Sequence, residues 1–143
     1  MKVCFDTSTL IAALLQQHPH HAVAFPRLQS VKDGAAQGYL TTHGLTELFA
    51  TLTALPLKPR LHPADVLRLI QQSVLTYFTL IPLGAAEYHE AMQLTVRQNL
   101  SSGAIYDALH VAGARSAGCT TLYTLNLRHF RSLAPGDPMI LPP

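Results

Sequence analysis

The stretch KVCFDTSTLIAALL, residues 2–15, decides how this chain is read. Lys2 to Phe5 is a short β-rich run. Asp6 then breaks the apolar sequence, and Leu10 to about Gln16 reads as a helix with Thr7 or Ser8 as its cap. A strand running directly into a helix is the unit from which parallel sheets are built. Lys2 followed by apolar residues could also pass for a secretory leader, but Asp6 interrupts the run too early for that. Asp6 itself admits two readings, a helix cap or a carboxylate set at a strand end for chemistry.

Outward from this stretch, the pattern alternates. His20 to Lys32 predicts a helix interrupted or restarted near Pro26. Gly34 and Gly38 bracket a loop before a strand over 39–42. Leu45, Leu48, Phe49 and Leu52 recur at helical spacing, in a helix that carries Glu47 and ends before Pro56. PLKPRLHP, residues 56–63, reads as a linker, and Pro63 opens a helix running to about Tyr77. A strand follows over 78–83, then an amphipathic helix over 85–99 with Tyr88, Met92 and Val96 along one stripe. Ser101-Ser102-Gly103 is a break before a helix over 104–117. Strands are expected over 121–124 and, at an edge, over 139–141. The whole predicts one α/β domain, residues 1–143, with a parallel sheet covered on both faces. In such sheets, sites form beyond the carboxyl ends of the strands, near a switch in strand order.

Only 13% of the 143 residues are charged, against 48% hydrophobic. So apolar a composition excludes disorder and implies that a second copy of the chain covers part of the surface. The helices around Leu45 to Leu52 or Ala85 to Asn99 are the expected homodimer contacts. No apolar run reaches the roughly 18 residues of a membrane span. Two cysteines, Cys4 and Cys119, make no disulfide framework, and a reducing cytoplasm is the expected setting. The net charge of +2 neither demands nor repels a nucleic acid. His18, His20 and His21 lack a zinc-binding pattern, and the five tyrosines form no stacking platform.

Of eight Asp and Glu residues, three lie beside segments that should form the core: Asp6, Glu47 and Asp107. A carboxylate against a core needs a partner, and a cation satisfies several converging carboxylates at once. Glu47 alone reads as an ordinary helix glutamate, on a face with Gly44, Thr51 and Ala54. Asp107 is the only acid in AIYDALHVAGARSAG, residues 104–118, where an ordinary solvent face would carry several charges. His110, one turn on, reads as a packing or orienting residue. His129, between Arg128 and Arg131, reads either as a phosphate contact or as part of a solvated loop.

The ordered set DTSTLIAALL, LTELFATL, SSGAIYDALHVAGARSAGC and LYTLNLRHF resembles the PIN domain, and within it toxins of the VapBC type. That resemblance implies a three-layer α/β/α sandwich with a short parallel sheet. It also implies a Mg²⁺- or Mn²⁺-dependent endoribonuclease partnered by a second copy and a small antitoxin. Asp6, Glu47 and Asp107 match the family's first three acids, with Asp6 and Asp107 as direct metal ligands and Glu47 acting through water or as an orienting base. Asn126, in Thr124-Leu125-Asn126, stands where a fourth acid is often found. Its carbonyl can still serve, but it brings no charge. Thr7 and Ser8 match hydroxyl positions that bind phosphate oxygen or a metal-bound water, and Thr124, Arg128 and His129 are expected beside the substrate. The resemblance therefore predicts that Asp6, Glu47, Asp107 and Asn126 share one cleft. Two other functions compete. Haloacid-dehalogenase chemistry needs an aspartate where Ser8 stands, and a PIN-like module that only binds RNA is favoured by Asn126.

Overall fold

Five strands form one parallel sheet in the computed structural model, which describes residues 1–143. They are β1 (Lys2–Phe5), β2 (Gln37–Thr41), β3 (Phe78–Ile81), β4 (Thr121–Tyr123) and β5 (Ile140–Leu141), in the order β3-β2-β1-β4-β5. Val3 pairs with Gly38 on one side and Thr121 on the other, so β1 is central and buried on both faces. The chain lays β2 and β3 on one side of β1, then returns to lay β4 and β5 on the other. The switch in strand order falls between β1 and β4, where Asp6 and Thr124 emerge.

Seven helices cover the sheet: α1 (Thr7–Leu14), α2 (His21–Lys32), α3 (Thr42–Ala54), α4 (Pro63–Ile70), α5 (Ala85–Arg97), α6 (Ala104–Ser116) and α7 (Leu127–Leu133). Strand side chains alternate between faces. Val3 and Phe5 therefore join a core with residues of α1 to α4, while Cys4 and Leu122 join a second with residues of α5 to α7. This is the expected three-layer α/β/α sandwich. Phe5 is fully buried, edge-on to Phe78 at 5.1 Å and Tyr123 at 5.4 Å. Phe5→Ala would cost about 3–5 kcal/mol. No helix is long and apolar enough to cross a membrane.

Several expectations change in detail. Asp6, not Thr7 or Ser8, caps α1, because its carboxylate accepts the Thr9 N–H at 2.9 Å. The helix accordingly begins at Thr7 and closes at Leu14. α2 runs unbroken through Pro26. The carbonyl that the proline leaves without its usual donor belongs to Ala22, an exposed residue. Gly38 lies inside β2 rather than in a loop; a Cβ there would stand 2.6 Å from Val31 and 2.9 Å from Phe78. The helix from Pro63 ends at Ile70 and continues as a π-helical turn over Gln71–Leu75.

Two further features matter more. α5 buries Ala91, Leu94 and Thr95 against the core, and turns Tyr88, Met92 and Val96 to solvent. Small residues allow close packing on α6, and the bulkier apolar stripe is left outside. The loop expected after β4 is instead α7, which buries Phe130 and Leu133.

Candidate active site

Asp6 is held from several sides. Its Oδ1 accepts Ser8 Oγ at 2.7 Å and the Thr9 N–H at 2.9 Å, and its Oδ2 accepts Thr124 Oγ1 at 2.7 Å. Ser8 also reaches Oδ2 at 2.9 Å. Both hydroxyls accept backbone N–H groups in turn, Ser8 from Leu125 at 3.1 Å and Thr124 from Asn126 at 2.9 Å. The chain leaving β4 is thus tied through two hydroxyls to the carboxylate at the end of β1. Asp6 is 3% exposed, and its orientation is set by the fold.

Glu47 projects from α3 into a second group of partners. Its Oε1 accepts Thr7 Oγ1 at 3.0 Å and faces His110 Nε2 at 2.7 Å and His43 Nε2 at 3.2 Å. All three meet one oxygen, which leaves Oε2 free. Burial pushes the Glu47 carboxyl up, but the hydrogen bond and charge of His110, then His43 and Thr7, outweigh it and hold it below the ordinary range. His43 stacks on Tyr106, ring centroids 5.7 Å apart, and burial lowers its pKa. The close approach of α3 to α6 needs Gly44, where a Cβ would meet His110 at 3.0 Å.

Asp107 is the opposite case. It lies half-buried on the first turn of α6, and no hydrogen-bond donor of the protein reaches its carboxylate; His129 Nδ1 is 3.8 Å away. Burial pushes its carboxyl above the ordinary aspartate range. Charge on His110 and His129 opposes the rise, while Asp6 and Glu47 add to it. The three acids are thus close enough to feel one another. Asp107 and His129 line a cavity of about 380 Å³ with Leu100, Gly103, Ala104 and Leu133. Asp6 and Glu47 lie outside that cavity.

Of the remaining expected site residues, Asn126 stands just before α7, an exposed residue whose side chain makes no capping hydrogen bond. Its link to the acids runs through its backbone N–H and Thr124. Arg128 and His129 are exposed on α7, a helix rather than a loop. Thr7, Ser8 and Thr124 donate their hydroxyl protons to carboxylates, so their first role is to hold Glu47 and Asp6. His43 was not foreseen, although its four-residue spacing from Glu47 on one helix face was visible.

The donor set suits a hard divalent cation. Such ions prefer oxygen. Asp107 has both oxygens free, and the charges of Asp6 and of Glu47, whose Oε2 is also free, reach it. The ligand atoms that come within 4.8 Å of one another, however, are those of His43, Glu47 and His110. A half-buried carboxylate with no donor, on which two further acids act, is the arrangement a cation relieves.

Comparison with known proteins identifies the family and the fold. The PIN domain family model matches residues 3–134. The ribonuclease VapC40 of Mycobacterium tuberculosis is 29% identical over 123 residues, covering 86% of this chain and 85% of that protein. The fold is shared with VapC20 of Mycobacterium tuberculosis, a sarcin-ricin loop cleaving toxin (TM-score 0.66, 21% identity, 87% of this chain and 89% of that one). It is shared equally with the DNA-bound VapBC complex of Salmonella typhimurium (TM-score 0.70, 19% identity, 99% and 98%). With its five-stranded parallel sheet, Asp6 at the switch point and a family match over nearly its whole length, this chain belongs to the PIN-domain family.

Proposed function

We propose that this chain is an endoribonuclease that hydrolyses RNA phosphodiester bonds with Mg²⁺ or Mn²⁺, and that it is the toxin of a toxin–antitoxin pair. The observation that carries the reading is Asp107, a half-buried carboxylate with no donor, raised pKa and two further acids in electrostatic reach. The 29% identity to a VapC ribonuclease supports the substrate class, and the fold shared with VapBC complexes supports an antitoxin partner.

Asp6 and Asp107 would hold the cation directly. When bound, Mg²⁺ or Mn²⁺ makes a coordinated water more acidic and offsets charge on the phosphate under attack. Ser8, Thr124 and the Thr9 N–H fix the direction from which Asp6 presents its remaining lone pair. His110 and Thr7 hold Oε1 of Glu47, so that Oε2 can orient a water or accept its proton. Arg128 and His129, exposed on α7 with His129 beside Asp107, would meet flanking phosphates. Asn126 would supply an uncharged oxygen where a fourth acid would otherwise bind a second ion.

Two apolar surfaces suit the protein partners. One is the outward stripe of Tyr88, Met92 and Val96 on α5. The other is a cavity of about 300 Å³ between α3 and α4, lined by Leu45, Phe49, Leu67, Ile70 and Leu75. A second copy and an antitoxin would cover them, and light scattering showing only monomer at micromolar concentration would count against the homodimer.

The test is cleavage of RNA across a Mg²⁺ titration, with Asp6→Ala as control. Metal-dependent cleavage lost in the variant is expected. Cleavage that persists in Asp6→Ala would sink the assignment. Binding of RNA without cleavage at any metal concentration would favour a non-catalytic RNA-binding module, the reading to which the uncharged Asn126 lends weight.

A further inference from the structure

His43, Glu47 and His110 bring two imidazole nitrogens and a carboxylate oxygen within 4.8 Å of one another, at the edge of the acidic site but made of different chemistry. We propose that these three residues form a second metal site, sharing Glu47 with the acidic one, for a borderline transition-metal ion, Zn²⁺ in the first place, and that its occupation holds the nuclease off. The regulatory half of this inference rests on the ribonuclease reading above; the binding half does not.

Two observations point to a ligand. His43 Nε2 is the one buried side-chain nitrogen or oxygen without a hydrogen-bond partner. It lies 3.2 Å from Glu47 Oε1, close in distance but out of line for a hydrogen bond. Protonated, this nitrogen wastes its donor; unprotonated, its lone pair faces a carboxylate oxygen. A cation between them resolves either case. The second observation is the support behind the ligands. His110 Nδ1 is 3.4 Å from Thr41 Oγ1, and the His43 ring is fixed by stacking on Tyr106. A metal-binding histidine commonly has its other ring nitrogen held in this way.

Two nitrogens and one oxygen select against Mg²⁺, which takes oxygen ligands, and for Zn²⁺, which accepts this trio with a water as fourth ligand. Coordination would replace the Nε2 proton of His110. In neutral His110 the proton moves to Nδ1, facing Thr41 Oγ1; in the imidazolium form one proton leaves to solvent. Oε1 of Glu47, now shared with the ion, would give up its bond to His110 and pull the side chain from the water it orients.

The experiment uses the full chain, with Mg²⁺ in millimolar excess to fill oxygen sites, titrated with Co²⁺ as a coloured probe and with Zn²⁺ in competition. One Co²⁺ should bind with visible ligand-field absorption and be displaced by Zn²⁺. His43→Gln should weaken binding at least about tenfold, and His43→Cys should restore it. Asp107→Asn should leave the spectrum in place. Zn²⁺ should reduce Mg²⁺-dependent cleavage about tenfold in the native chain but less than about twofold in His43→Gln, each measured against the same variant without Zn²⁺. Equal Zn²⁺ affinity in the native chain and a folded His43→Gln, or loss of the spectrum in Asp107→Asn, would overturn the site. Cobalt bands that persist in a chain with no nuclease activity would overturn the ribonuclease reading instead and leave the site standing.

Discussion

The corner between β1 and α1 and the first turn of α6 each carry one aspartate of the proposed site, and they treat it in opposite ways. At the corner, Asp6 is surrounded by two hydroxyls and a backbone N–H. On α6, Asp107 has no donor, and burial pushes its carboxyl up. One carboxylate is part of the framework and also caps a helix. The other is a strain on the framework that a cation would relieve. Position and charge are thus divided between two residues that a sequence motif counts as equivalent.

The sharpest way to break this contrast is Asp6→Ala. It should abolish cleavage and also cost about 2–3 kcal/mol, through loss of the cap and of the acceptor for two part-buried or buried hydroxyls. Chemical denaturation finding no loss of stability would show that Asp6 is not structural. Asp107→Asn should abolish cleavage equally but move stability the other way. Without added metal, its Tm should rise by a few degrees, the shift about 1 kcal/mol gives in a domain of this size. A lower Tm in that variant would remove the distinction between the two residues.

The pH dependence sharpens the same point. Unfolded, Asp107 loses its proton near pH 4; folded, it keeps the proton to a higher pH. The native state therefore binds more protons in that window, and metal-free stability falls as pH rises through it. Asp107→Asn should flatten that fall, as thermal melts across pH would show. Glu47 and Asp137, held below their ordinary ranges, act oppositely. Their contribution is complete above about pH 4.5 and is lost as pH drops through the lowered values. The smallest expected effect is Asn126→Asp, which adds a charge to an exposed position and should lower the Mg²⁺ concentration for half-maximal cleavage severalfold. Calorimetry finding two equally tight Mg²⁺ sites in the native, RNA-free chain would show that the amide limits nothing.

The sandwich was legible in the sequence because strands and helices alternate, and local patterns report such alternation well. The acids were legible because each falls where a charge is costly. Their partners were not, since the bonds that matter join distant parts of the chain: Thr7 to Glu47 across 40 residues and His110 to Glu47 across 63. The stripe on α5 was legible only in part, for a related reason. Periodicity shows that Tyr88, Met92 and Val96 share a face, but neighbouring helices decide which face turns inward. α7 was missed because a seven-residue helix gives only two buried apolar positions, Phe130 and Leu133, to betray it.

The central place of β1 also orders events in time. Asp6 receives its second hydroxyl from Thr124, 118 residues further along the chain, and β1 is completed on that side only by β4. Pairings so distant are slow to form, because the loop-closure entropy of the intervening chain has to be overcome first. During synthesis, Asp6 and Glu47 leave the ribosome long before α6 and β4 do. Whatever chemistry the acids perform therefore waits until α6 and β4 have been made and docked, because the last partner of the first acid comes from the far end of the fold.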